Sequence, residues 1–80
     1  MSEHTYTVIF APDLEDGGYV ATVPTLGIAT QGESLEEARR MVKEAIVGYL
    51  EGLQQEGQPI PEESEAHVPR ILPERVEVKV

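Results

Sequence analysis

Gly27-Ile28-Ala29-Thr30-Gln31-Gly32-Glu33-Ser34-Leu35-Glu36-Glu37-Ala38 carries a short strand through a glycine turn into a helix, and this junction decides the architecture. Ser34 and Glu37 have the spacing of a reciprocal Ser-x-x-Glu capping box, in which two N–H groups left over at a helix start find side-chain partners. The strand therefore ends by Gly32. Beyond Leu35, the apolar positions Ala38, Val42, Ala45, Ile46, Tyr49 and Leu53 recur at spacings of three and four and share one helix face. Glu36, Arg40, Lys43, Glu44, Glu51 and Gln54 form the opposite face, with Val47 as an apolar exception. Gly57 has the position of a C′ residue and Pro59 and Pro61 bar continuation, which predicts a helix over 35–56. Gly48 and Gly52 each cost about 0.8–1 kcal/mol relative to alanine, so their spacing predicts close approach of another backbone, that of the returning chain. Nothing in the junction is a nucleophile, a metal cluster or a phosphate loop.

Upstream, His4 to Ala11 alternates Tyr6, Val8 and Phe10 against Thr5, Thr7 and Ile9, the period of a strand rich in β-branched and aromatic residues. Pro12-Asp13-Leu14-Glu15-Asp16-Gly17-Gly18 supplies turn chemistry, and Tyr19 to Val23, ended by Pro24, forms the return strand of a hairpin. Thr25-Leu26-Gly27 connects it to a third antiparallel strand at Ile28 to Gln31. Downstream, 58–73 is rich in proline and glutamate without a period, until Arg75-Val76-Glu77-Val78-Lys79-Val80 alternates again. Val76, Val78 and Val80 are expected to face the helix, and Arg75, Glu77 and Lys79 water or a second subunit. A helix between the third and fourth strands predicts a right-handed crossover. The expected fold is α+β, a β-β-β-α-β chain in the spatial order 3-2-1-4 with the fourth strand parallel to the first.

Eighty residues make one domain, 1–80, with a thin core. Fifteen acidic against six basic side chains give a net charge of −9, which opposes direct nucleic-acid binding and favours a basic partner. Arg39, Arg40 and Lys43 lie among helix glutamates, and Glu36–Arg40 and Arg40–Glu44 are expected to pair within the helix. There is no cysteine, hence neither a disulfide nor a thiolate metal site. The N-terminus runs into strand-like sequence with no basic region followed by an apolar one, and no apolar run approaches the ~20 residues of a membrane span. A cytoplasmic protein with no membrane association is the expectation.

The catalytic inventory is empty. His4 and His67, the two histidines, are far apart and have no adjacent ligand, against the three or four convergent groups a zinc site requires. His4, at a strand start, is expected to face solvent. Ser34 is accounted for by the cap and sits in no glycine-flanked elbow. Three antiparallel strands, a helix and a parallel fourth strand are similar to the first half of an RNase H-like fold, but the first strand has no central carboxylate for two magnesium ions to share. Asp13, Glu15 and Asp16 form an acidic hairpin tip without the length or terminal glutamate of an EF-hand loop. The expected content is no catalytic residue, no metal and no cofactor.

Taken in order, Tyr6-Thr7-Val8-Ile9-Phe10, Asp13, Gly17-Gly18-Tyr19-Val20-Ala21, Val23-Pro24-x-Leu26-Gly27, Thr30-Gln31-Gly32-Glu33-Ser34-x-Glu36-Glu37-Ala38 and Gly57-x-Pro59-Ile60-Pro61 resemble the HicB-like antitoxins, including their short stand-alone members. The resemblance covers most of the chain. It implies a partial RNase H-like domain without catalysis that binds a small basic HicA-type toxin and blocks its mRNA-cleaving histidine. Family members often carry a C-terminal helix-turn-helix or ribbon-helix-helix domain; the expectation here is a single domain without one, so operator binding is not carried over. Asp13, Glu15 and Asp16 are the expected toxin-facing surface. Thr5, Thr7 and Ile9, on the sheet face away from the helix, are the expected interface of a homo-oligomer, a dimer foremost. The other reading is an orphan oligomeric scaffold or small-ligand module of the same fold.

Overall fold

Strands β1 (Glu3–Pro12), β2 (Tyr19–Val23) and β3 (Ile28–Gly32), helix α1 (Leu35–Gln55) and strand β4 (Glu74–Lys79) follow one another along the chain. The structure, a computed structural model, describes residues 3–63 and 74–80. The strands form one sheet in the expected order β3-β2-β1-β4. The direction of the last strand differs from expectation. β4 is antiparallel to β1, with Glu3 opposite Lys79 at one end of the ladder and Val8 opposite Glu74 at the other.

The reason lies in the residues that follow the helix. Tyr6 Oη donates to the Pro61 carbonyl at 2.5 Å, and Thr7 donates to the Glu63 carboxylate, so the chain climbs along β1 after α1. It re-enters the sheet opposite Val8 and runs back towards Glu3. The crossover rule applies when the helix alone makes the connection. Here a second ascending segment reverses the sense. With the parallel strand goes the basis of the partial RNase H-like comparison, and that fold is not supported.

α1 starts and stops where local chemistry requires. Ser34 is extended (φ −132°, ψ 167°) and its Oγ accepts from Glu37 N at 3.0 Å. Among the described residues the return bond from Glu37 to Ser34 N–H does not form, so half of the capping box is made. At the other end Gly57 takes φ +73°, Gln58 N donates to Leu53 O at 2.9 Å and Gly57 N to Gln54 O at 3.1 Å. This is a full Schellman motif. The ion pairs expected along the helix give way to a tertiary one. Arg39 Nε reaches Glu74 Oε1 of β4 at 2.7 Å, and its guanidinium lies 5.7 Å from the Phe10 ring centroid.

The core lies between α1 and one face of the sheet. Ala38, Val42, Ile46 and Leu50 meet Tyr6, Val8, Ala21, Val23 and Val78, all essentially buried. Burial of an aliphatic side chain of this size contributes about 1.5–3 kcal/mol. Val76, Val80 and Val47 pack against this core half-buried, while Arg75, Glu77 and Lys79 point outward, as the alternation of β4 predicts. Val47 thus belongs to the edge of the core rather than to the polar face.

Two glycines permit the closest packing. A Cβ on Gly32 would fall against Ala38 N and within 2.7 Å of Ala38 Cα, and one on Gly18 would fall against the Gly32 carbonyl. Gly18 also has φ +78°. The start of β2, the end of β3 and the first turn of α1 are therefore stacked backbone on backbone. Gly48 and Gly52, where sequence spacing predicts such an approach, have no described residue within 4 Å of a built Cβ, and residues 64–73 of the returning chain lie outside the described residues.

Candidate functional site

The stack of Gly18, Gly32 and Ala38 brings the hairpin tip and the acidic first turn of α1 to one end of the molecule. In the tip, Asp13 N donates to Gly18 O and Gly17 N to Asp13 O, both at 2.9 Å. Asp13 Oδ1 accepts from Glu15 N at 3.0 Å and Asp16 N at 3.1 Å, while Oδ2 accepts from Gln31 Nε2 at 2.7 Å. Asp13 thus folds the loop and ties it to β3, with both oxygens engaged. Glu15 and Asp16 project from that loop, exposed, and Leu14 at the tip is 92% exposed.

Asp16, Gly17 and Gly18 form one wall of an open groove of about 400 Å³, with Gln31, Gly32, Glu33 and Glu37 as the other. The glycines leave much of its lining as backbone. Beside it, Ser34, Glu36, Glu37 and Arg40 line a second depression of about 280 Å³. Glu36 and Glu37 sit in the first turn, where the positive end of the helix dipole favours carboxylates. Of the residues expected to face a partner, Glu15 and Asp16 therefore join an acidic end that also contains Glu33, Glu36 and Glu37, whereas Asp13 is held within the fold. The sequence shows those glutamates only as a capped helix start. What brings them to the hairpin is the glycine stack.

The opposite face of the sheet is organised by Glu63. Extending the Ile9–Thr22 register by two residues sets Pro24 opposite Thr7, and proline has no N–H with which to continue the ladder. Glu63 occupies that gap. Its Oε1 accepts from Thr7 N at 2.6 Å and from Thr25 Oγ1 at 3.2 Å, its Oε2 accepts from Thr7 Oγ1 at 2.6 Å, and Arg75 Nη2 stands 3.4 Å away. Burial pushes the Glu63 carboxyl up, but the hydrogen bonds from Thr7 and Thr25 and the charge of Arg75 outweigh it and hold it below the usual carboxylate value. Tyr6 is pushed up, first by burial and then by Glu62 and Glu63. Thr7 is fully buried beneath this carboxylate, while Thr5 and Ile9, also expected on an oligomer interface, are half-buried. Pro24 opposite Thr7 was a readable signal for a side-chain partner, though not for which one.

His4 does not face solvent as expected. It is half-buried, and its Nε2 is enclosed with no hydrogen-bond partner among the described residues. The second histidine, His67, lies outside the described residues. No group of three or more metal-binding side chains converges among the described residues, and none of their helices is long and apolar enough to cross a membrane.

A family described as the HicB-like antitoxin of bacterial toxin–antitoxin systems matches residues 6–75, from β1 into β4. A UPF0150 protein of Thermoplasma acidophilum is 47% identical over 60 residues, covering 74% of this chain and 86% of that protein. A UPF0150 protein of Synechocystis is 46% identical over 61 residues, covering 75% and 76%. One of Archaeoglobus fulgidus is 49% identical over 47 residues, covering 58% and 67%. The chain belongs to the HicB-like antitoxin family of bacterial toxin–antitoxin systems.

Proposed function

We propose that this chain is a non-catalytic antitoxin domain that acts in the cytoplasm by binding and neutralising a small basic mRNA-cleaving toxin of the HicA type. The observation that carries the reading is the gathering of Asp16, Glu33 and Glu37 around an open groove, with Glu36 in the depression beside it and Glu15 exposed on the same hairpin tip, in a chain with net charge −9. A protein that cleaves RNA must present cations to phosphates. An acidic end of this kind attracts the same cations and competes with the polyanion for them. Complementary charge raises the association rate and excludes like-charged competitors, while packed contacts nearer the groove set the lifetime of the complex. Leu14, exposed at the tip, is an apolar group placed to make such a contact.

The test is co-expression with the adjoining reading frame and measurement of the complex by stopped-flow and calorimetry. A small basic product is expected to co-purify. Asp16→Lys with Glu33→Lys is expected to slow association by about tenfold and flatten its salt dependence. Asp13 is the wrong position for this test, because reversing it dismantles the loop. An adjoining frame with no such product, or an association rate and salt slope unchanged by both reversals, overturns the reading.

A further inference from the structure

We propose that two copies of this chain pair through the free edges of β4, antiparallel about Val78, so that Glu77 of each copy stands across from Lys79 of the other and the sheet runs on through both. β4 is an edge strand, bonded to β1 on one side only. Among the described residues its other side has no strand partner, and such an edge of N–H and C=O groups is a template for a further strand. A two-fold axis gives an isologous contact, in which antiparallel self-pairing is the natural geometry.

Charge chooses the register. Arg75, Glu77 and Lys79 share the outward face of β4. Pairing centred on Glu77 sets Glu77 against itself and Arg75 against Lys79, with like charges directly opposed at every charged position of that face. Pairing centred on Val78 sets Glu77 against Lys79 twice. On the helix face it sets Val76 against Val80 twice and Val78 against itself. Pairing centred on Val76 also matches charges, Arg75 with Glu77, but it places Val78 opposite Glu74. Arg75 and Glu74 are moreover already engaged, with Glu63 at 3.4 Å and Arg39 at 2.7 Å. Glu77 makes no ion pair among the described residues, and Lys79 meets Glu3 at 3.5 Å with both side chains well exposed, which leaves it free to be shared.

The other edge is less suited. β3 carries Ile28-Ala29-Thr30-Gln31-Gly32, with no charge to select a register, and it leads into Glu33 at the acidic end. β4 pairs with 3–8 of β1, away from the hairpin that joins Pro12 to Tyr19. A dimer through β4 therefore keeps the two acidic ends at its far corners, where two chains of charge −9 repel each other least.

The experiment is sedimentation equilibrium of the full chain alone at micromolar concentration, with the fold of every variant checked by circular dichroism. A dimer is expected. E77K and K79E are each expected to weaken it by about tenfold or more, and the double variant E77K/K79E to return to within about threefold of the starting affinity. A monomer throughout, single variants that dimerise as well as the parent, or a double variant without recovery overturns the proposal. A dimer indifferent to these changes but lost on Ile9→Lys places the contact on the outer sheet face and overturns it too. No toxin enters the measurement, so its failure leaves the antitoxin reading untouched.

Discussion

Replacing Glu63 by glutamine isolates the charge that ties the chain after the helix to the sheet. The carboxylate is 4% exposed and accepts from Thr7 N and Thr7 Oγ1 at 2.6 Å each and from Thr25 Oγ1 at 3.2 Å, with Arg75 at 3.4 Å. The amide preserves the shape and one acceptor, so Thr7 N–H keeps a partner and the loss is that of charge assistance. Hydrogen bonds to a charged group contribute about 1.5–3 kcal/mol and neutral ones about 0.5–1.5 kcal/mol, so the two short bonds together predict a loss of roughly 2 kcal/mol. Alanine is harsher. It leaves the N–H and hydroxyl of the fully buried Thr7 without partners, at about 1–3 kcal/mol each. For an 80-residue chain with about 4–12 kcal/mol in total, from ~0.05–0.15 kcal/mol per residue, that approaches the threshold of unfolding.

Urea unfolding followed by circular dichroism measures both variants, and pH identifies the mechanism. The Glu63 carboxyl is held below its ordinary value of 4.5 in the folded chain, so the unfolded chain binds the proton more readily. Its contribution is full above about pH 4.5 and disappears as pH falls through the lower folded value. The stability difference between the parent and Glu63→Gln should therefore shrink on acidification across that window. Equal stability at neutral pH, or a difference that stays constant down to the acid transition, refutes this role for the Glu63 charge.

Gly32→Ala is expected to destabilise by about 1–3 kcal/mol, since the new Cβ must push the first turn of α1 away from β3; thermal unfolding reads it, and an unchanged midpoint would show that the stack yields freely. Gly48→Ala and Gly52→Ala should each raise stability by about 0.5–1 kcal/mol in the same assay, because both lie within α1 with no described residue within 4 Å of a built Cβ. A loss at either position would mean that a neighbour occupies that flank.

Elements that depend on neighbours in sequence were legible. The alternation of Tyr6, Val8 and Phe10, the turn chemistry from Asp13 to Gly18, the cap at Ser34 and the stop at Gly57 each act within a few residues, and each stands where its pattern predicts. What the pattern did not contain was the partner of a group whose neighbour in space is remote in the chain. Glu63 reaches Thr7 across 56 positions, Arg39 reaches Glu74 across 35, and together these contacts accompany the reversal of β4. A period of two says that Val76 and Val78 share a face, but it is the same for a strand read in either direction. The antiparallel direction of β4 accords with the ascending path up to 63, and that path is anchored by the Tyr6–Pro61 bond and by Glu63 in a segment with no period of its own.

The same division runs through the acidic end. Most of the residues that carry the family resemblance there, Gly18, Gln31, Gly32, Ser34 and Ala38, are engaged within the fold: Gln31 with Asp13, Gly18 with Gly32, Gly32 with Ala38, and Ser34 with the Glu37 N–H. What they accomplish is placement, because a strand end, a hairpin tip and a helix start cannot come this close unless the intervening side chains are absent. The carboxylates of Glu15, Asp16, Glu33 and Glu36 make no hydrogen bond or ion pair among the described residues, and each hangs from a backbone position that this packing fixes. On the proposed function, recognition of a basic partner falls to charges whose backbone positions are set in advance, so that binding orders side chains and not the loop, and the resemblance identifies the frame rather than the contacts.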